Sequence, residues 1–123
     1  MANINEVVAG YVAAWNETDP ARRRQVISRT WTEDGSYLDA HRDGTGHAEI
    51  DEMIAAVQSA FPGYRFRLSS GIEAHHGRVR FSWIAGGTEQ APLFFGGTDF
   101  AILAPDGRMQ SVTGFVDAMP VMG

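Results

Sequence analysis

The hydrophobic pattern of this chain changes period once, near residue 63, and that change limits the folds open to it. Before it, apolar residues recur every three to four positions, as on one face of a helix; after it they alternate, as along a half-buried strand. Ile4, Val7, Val8, Tyr11, Val12 and Trp15 form one apolar stripe, with Asn3 and Glu6 at capping-box spacing in front of it. Asp19-Pro20 places an N-cap before a proline at the first helical position, so a second helix is expected from there, burying Val26 and Ile27 and ending at "RTWTEDG". A third helix is predicted from about Ala48 to Phe61, with Ile50, Met53, Ile54, Val57 and Phe61 on one face and Pro62-Gly63 as its stop. Between the second and third helices, "GSYLD" reads as a short strand.

From Tyr64 onward the alternation takes over. "YRFRL" sets Tyr64, Phe66 and Leu68 against Arg65 and Arg67, and "VRFSW" sets Val79, Phe81 and Trp83 against Arg80 and Ser82. "HHGR" and "APDGR" supply glycine-containing turns, so residues 64 to 117 read as a four-strand antiparallel meander. Gly96-Gly97, inside the third long strand, marks a bulge or bend. Helices first and strands afterwards imply an α+β architecture: a cone-shaped, curved antiparallel sheet packed against N-terminal helices. At 123 residues, with no linker or repeat, the chain reads as one domain over 1–123. The last residues, "AMPVMG", read as a tail on the surface.

Charge and composition exclude several functions. The net charge of -5 argues against nucleic acid as a partner, since phosphate binding needs a concentrated basic face. No stretch approaches the roughly 20 apolar residues of a membrane span, and the N-terminus lacks a signal-peptide pattern, so no membrane contact and a cytoplasmic location are expected. There is no cysteine, which rules out disulfides, thiolate metal sites and thiol nucleophiles. All ten basic residues are arginine, and Arg22, Arg23 and Arg24 read as a solvated helix face. His41 and His47 match no established metal-ligand spacing, so neither metal nor other cofactor is expected. His75 and His76 belong to a hairpin tip in solvent, and Asp117 to a surface or interface.

In the order "YVAAWNETDPARRRQVISRTWTEDGSYLD", "GHAEIDEMIAAVQSAFPGYRF" and "GTDFAILAPDGRMQSVTGFVD", the chain resembles the nuclear transport factor two-like superfamily, particularly its SnoaL-like branch, over nearly its whole length. That fold serves isomerases, dehydratases, epoxide hydrolases, cyclases and binding modules, so the resemblance implies a fold more firmly than an activity. Among its enzymes, ketosteroid isomerase matches residue by residue at three positions: Tyr11 on the first helix, Asp39 at the end of the first strand and Asp99 on a later strand. Ketosteroid isomerase is itself the established example of a carboxylic acid kept neutral to donate a hydrogen bond, so these roles are carried over by resemblance. It implies Asp39 as the base that moves a proton beside a carbonyl, with Tyr11 and Asp99 as donors to the oxyanion.

Each of these residues has a plainer reading. Asp39 suits a turn; Tyr11 suits the core; Asp99 interrupts the apolar "DFAIL" and must be hydrogen-bonded, paired with an arginine such as Arg80, exposed or kept neutral. Epoxide hydrolases of this fold need a carboxylate on the last strand, where this chain has Gly114. Polyketide cyclases need an aspartate and a histidine, which Asp39 with His41 or His47 would supply if the loop folds inward. The aromatic residues mostly pack the core, but Trp15, Phe66, Phe81 and Trp83, with Val112 and Val116 and with His41 for a more polar ligand, are expected to line a pocket for a small hydrophobic or polyketide-like molecule. The resemblance further implies a homodimer through the convex sheet face. The alternative is a non-catalytic ligand-binding or dimerising module.

Overall fold

Capping and packing place the helices where the periodicity puts them. The computed structural model describes residues 3–89 and 91–117; the terminal segment expected on the surface lies outside them. Helix α1 (Ile4–Asn16) starts at Asn3, whose side chain accepts from the Asn5 N–H, and α2 (Pro20–Thr30) starts at Asp19, which accepts from the Arg22 N–H. Val7, Val8, Tyr11, Ala14 and Trp15 are the buried face of α1, as their spacing requires. Helix α3 (His47–Ala60) begins one residue earlier than expected and buries Ile50, Met53, Ile54 and Val57. His47 bonds the Trp31 carbonyl through its ring at 3.0 Å, which ties the start of α3 to the end of α2.

The arginine run is not a solvated face throughout. Arg22 and Arg24 are exposed, but Arg23 is 4% exposed, beneath α2. Its Nε donates to Asp51 at 2.6 Å, and its guanidinium also donates to the Glu17 carbonyl and the Gln58 side chain at 3.1 and 2.9 Å. Consecutive helical residues splay around the axis, so one of three must turn inward; here it satisfies polar groups between α2 and α3.

Strand β1 (Trp31–Leu38) follows α2 directly and is longer than "GSYLD", and β2 (Asp43–Thr45) folds back on it. β3 (Phe66–Leu68) and β4 (Glu73–His75) both pair with β5 (Arg78–Gly86), so the expected first strand of the meander is broken in two. Antiparallel β6 (Phe94–Leu103) and β7 (Met109–Val116) complete it. The sheet order is β2-β1-β7-β6-β5-β3, with β4 beside β5, and β1 runs parallel to β7. The sheet is thus a curved mixed one. No local turn encodes the direction of β1, because its partner comes from the other end of the chain.

Gly96 and Gly97 keep continuous register with Ile84 and Trp83, so the glycine pair marks no bulge; the register shift along β6 falls in its other ladder, with β7, between Ile102 and Leu103. What Gly97 provides is room: a Cβ there would sit 2.5 Å from the Phe115 carbonyl and 2.8 Å from the Trp83 ring. Trp83 can therefore lie flat against β6 and form a wall inside the cone. Val112, sealed between Tyr37 and Ala101 in the ladder, belongs to the main core and does not reach the cavity. No helix among the described residues is long and apolar enough to cross a membrane.

Candidate active site

The inward faces of α1, β1, β5 and β6 converge on a cavity of about 160 Å³, a void able to take a small ring compound. Trp15, Phe66, Phe81, Trp83 and Val116 line it, together with Phe61 and Phe95. Tyr11, Asp39 and Asp99 reach the same cavity, with His41 and Arg42 at its mouth. Among the described residues no group of three histidines, cysteines or acids is placed to hold a metal ion.

Asp99 is 3% exposed and has no cationic partner among the described residues: Arg80, the arginine that could have paired with it, faces outward to Glu73. The Tyr11 hydroxyl donates to Asp99 Oδ2 at 2.6 Å, and the Trp83 indole N–H donates to Oδ1 at 3.1 Å. Strand period explains the convergence: Asp99 stands opposite Phe81 in the ladder, and Trp83 is two residues along on the same face. Burial raises the Asp99 carboxyl to about 6 against the pull of those two hydrogen bonds, and the Asp39 charge adds to the rise. Burial and the Asp99 charge likewise hold Tyr11 well above the ordinary phenol range.

Asp39 is also buried, but its situation differs. Oδ1 accepts the backbone N–H groups of His41 and Arg42 at 2.7 and 3.0 Å; Oδ2 accepts the Tyr37 hydroxyl at 2.7 Å and the Arg42 guanidinium at 3.1 Å. Four donors fill the roughly four lone-pair sites of a carboxylate, so nothing is left to meet a ligand. The turn-forming reading of Asp39 is thus fulfilled inside the pocket wall. Burial, then the Asp99 charge, then the bond to Asp39 push the Tyr37 hydroxyl far above its usual range.

Gly114 lets the two carboxylates approach. It pairs with Asp99 across the ladder, and a Cβ there would lie 2.8 Å from both Asp99 Oδ1 and the Tyr37 hydroxyl, and 3.5 Å from Asp39 Cβ. Tyr37 and Arg42 carry much of this geometry, although neither was expected at the site. The signals were present: Tyr37 precedes Asp39 by two, on the same strand face, and Arg42 follows it by three, at turn spacing.

Helices closed over a curved sheet around such a cavity define the nuclear transport factor two-like, cystatin-like class of fold. A structure from Agrobacterium tumefaciens, provisionally described as an isomerase of the SnoaL-like family, superposes with a TM-score of 0.87 at 37% identity, covering 96% of this chain and 100% of that one. The chain belongs to the SnoaL-like family. A SnoaL-like protein from Jannaschia sp. CCS1, provisionally described as a polyketide cyclase, matches with a TM-score of 0.71 at 16% identity over 95% of this chain and 90% of that one. A protein of ketosteroid isomerase-like fold from Catenulispora acidiphila, in complex with trimethylamine, matches with a TM-score of 0.68 at 19% identity over 89% and 83%. These last two share the fold alone. No family model matches the chain, and neither does any curated protein.

Proposed function

We propose that this chain binds a small, largely apolar carbonyl compound and moves a proton beside its carbonyl, as an isomerase or cyclase does, with Asp99 as the base. The observation that carries the reading is Asp99 itself: a buried carboxylate in an aromatic cavity, with no cation and only two donors among the described residues, so that two of its lone-pair sites are unused. A base that titrates near 6 is mostly ionised at neutral pH yet binds a proton far more readily than an exposed aspartate. In the reaction, Asp99 takes a proton from the carbon beside the carbonyl. The C–H electron pair becomes the enolate double bond, and the carbonyl π pair moves onto oxygen. Where the ketone carries a β,γ double bond, the enolate is a dienolate; returning the proton to its far (γ) carbon shifts that double bond into conjugation as the carbonyl re-forms, which gives the isomer, and Tyr11 stabilises the oxyanion between the two steps.

This assignment exchanges the carboxylate roles that the ketosteroid isomerase resemblance implies. Asp39 is the expected base, but its four donors make it a fixed anion that shapes the mouth and disfavours ionisation of Asp99. The same saturation of Asp39 favours the second reading, a binding module without chemistry. We also propose that the chain pairs with a second copy through the outer sheet face, where Leu38, Phe100 and Phe115 are exposed, Phe115 at 66%. Sedimentation of the wild type against Phe115→Glu tests this: the expected result is a dimer reduced to a monomer, and a monomeric wild type refutes it.

A thermal-shift screen with cyclic ketones, polyketide-like aromatics and steroids tests the pocket, since ligands of the native state raise its melting temperature. Hits are then incubated with wild type, Asp99→Asn and Asp39→Asn. Turnover lost in Asp99→Asn supports the enzyme; ligand binding with no turnover in any of the three leaves the binding module.

A further inference from the structure

An enolate formed in a dry cavity needs donors aimed at its oxygen. The wall of this cavity has few polar hydrogens, and most are already spent. The Tyr11 hydroxyl and Trp83 N–H serve Asp99, while the Tyr37 hydroxyl and an Arg42 N–H serve Asp39. His41 is exposed at the mouth. Trp15 is the exception. It lines the cavity, is 6% exposed, and its indole nitrogen has no hydrogen-bond partner among the described residues.

An unpaired buried N–H is unfavourable, because folding removes it from water without replacing that bond. Trp31 carries the other such indole, but it is sealed in the core and does not reach the cavity. Trp15, by contrast, packs edge to face against both Tyr11 and Tyr37, at centroid distances of 6.3 and 5.3 Å. Helical spacing accounts for the juxtaposition, since Tyr11 and Trp15 are one turn apart on the buried face of α1.

We infer that the Trp15 indole N–H is a second donor to the ligand's oxygen, beside the Tyr11 hydroxyl, and that the pocket therefore selects ligands bearing an acceptor oxygen at that end. The inference rests on the carbonyl reading of the cavity and adds a specificity-determining residue to it. A ligand oxygen there would satisfy the one fully buried wall donor left unpaired among the described residues. In drawing Tyr11 toward itself it would also loosen a bond that favours the ionised form of Asp99, leaving the carboxylate more basic.

Cyclohexanone and methylenecyclohexane are a suitable probe pair, because they differ in C=O against C=CH₂ at nearly constant shape. Titrations of the wild type are followed by the tryptophan indole N–H resonances in proton–nitrogen correlation spectra, and the affinities are measured again in Trp15→Phe. The expected result is a Trp15 indole resonance that moves with the ketone and not with the hydrocarbon. Trp15→Phe should then weaken the ketone about tenfold and the hydrocarbon less than twofold, roughly the effect of one buried hydrogen bond. Should the variant fail to fold, the wild-type resonance decides alone. Equal losses for both probes, or an indole resonance indifferent to the ketone, overturn the role of Trp15 while the pocket stands. If neither probe binds the wild type, the carbonyl reading falls and this inference with it.

Discussion

Replacing Asp99 by asparagine should change how stability depends on pH more than it changes the fold. The carboxyl is raised from 3.8 to about 6 in the folded protein, so the native state holds this proton more tightly than the unfolded chain does. The stability linked to the proton is therefore fully present below about pH 4, is lost as pH rises through about 6, and is absent above that. At about 1.4 kcal/mol for each pH unit that separates the folded and unfolded titrations, the loss is about 3 kcal/mol in the wild type and zero in Asp99→Asn. Chemical denaturation of both proteins at intervals from about pH 4 to pH 8 gives two curves whose other titrations largely cancel on subtraction. The difference, variant minus wild type, should rise by about 2 to 3 kcal/mol, most of it before about pH 6.5. A flat difference, or one falling with pH, would mean that the carboxylate is solvated or paired, and the picture of an uncompensated buried acid would fail.

Tyr11→Phe removes a hydrogen bond that favours ionised Asp99, so the Asp99 titration, followed by carbon NMR of its side-chain carboxyl, should move above about 6; an unchanged or lower midpoint contradicts the geometry. Gly114→Ala places a methyl carbon 2.8 Å from both Asp99 Oδ1 and the Tyr37 hydroxyl, and should lower the denaturation free energy by about 1–3 kcal/mol, whereas Gly71→Ala, with open space around it, should do far less. Arg23→Ala takes from Asp51 its 2.6 Å donor, leaving only Arg24 at 3.7 Å, and from Gln58 Oε1 its donor, with an expected loss of about 2–3 kcal/mol by denaturant midpoint; a solvated arginine would give almost none.

The parts of the fold that were legible are those encoded locally. The α1 stripe, the Asp19-Pro20 start of α2, and the turns at His76-Gly77 and Gly107 follow from neighbours within a few residues. The parallel pairing of β1 with β7 joins segments far apart in the chain, and no turn announces it. Likewise the period of two places Phe81, Trp83 and Asp99 inward, but only three-dimensional register brings the Trp83 indole to the Asp99 carboxylate. Tyr11, Asp39 and Asp99 reach one cavity, while their hydrogen-bond states stayed hidden in the sequence. For Asp39 the sequence leaves open a base or a turn residue; that four donors, two of them backbone N–H groups of its own turn, fill its lone pairs is visible only in three dimensions.

Whether Asp99 moves a proton beside a carbonyl is read without intermediaries from hydrogen–deuterium exchange at the α carbon of a ketone that the thermal-shift screen shows to bind. Proton NMR in deuterated buffer follows the exchange with wild type, Asp99→Asn and Asp39→Asn. With Asp99 as the base, exchange should rise with pH through about 6 in the wild type, survive in Asp39→Asn and disappear in Asp99→Asn. Exchange retained in Asp99→Asn but lost in Asp39→Asn would contradict that role.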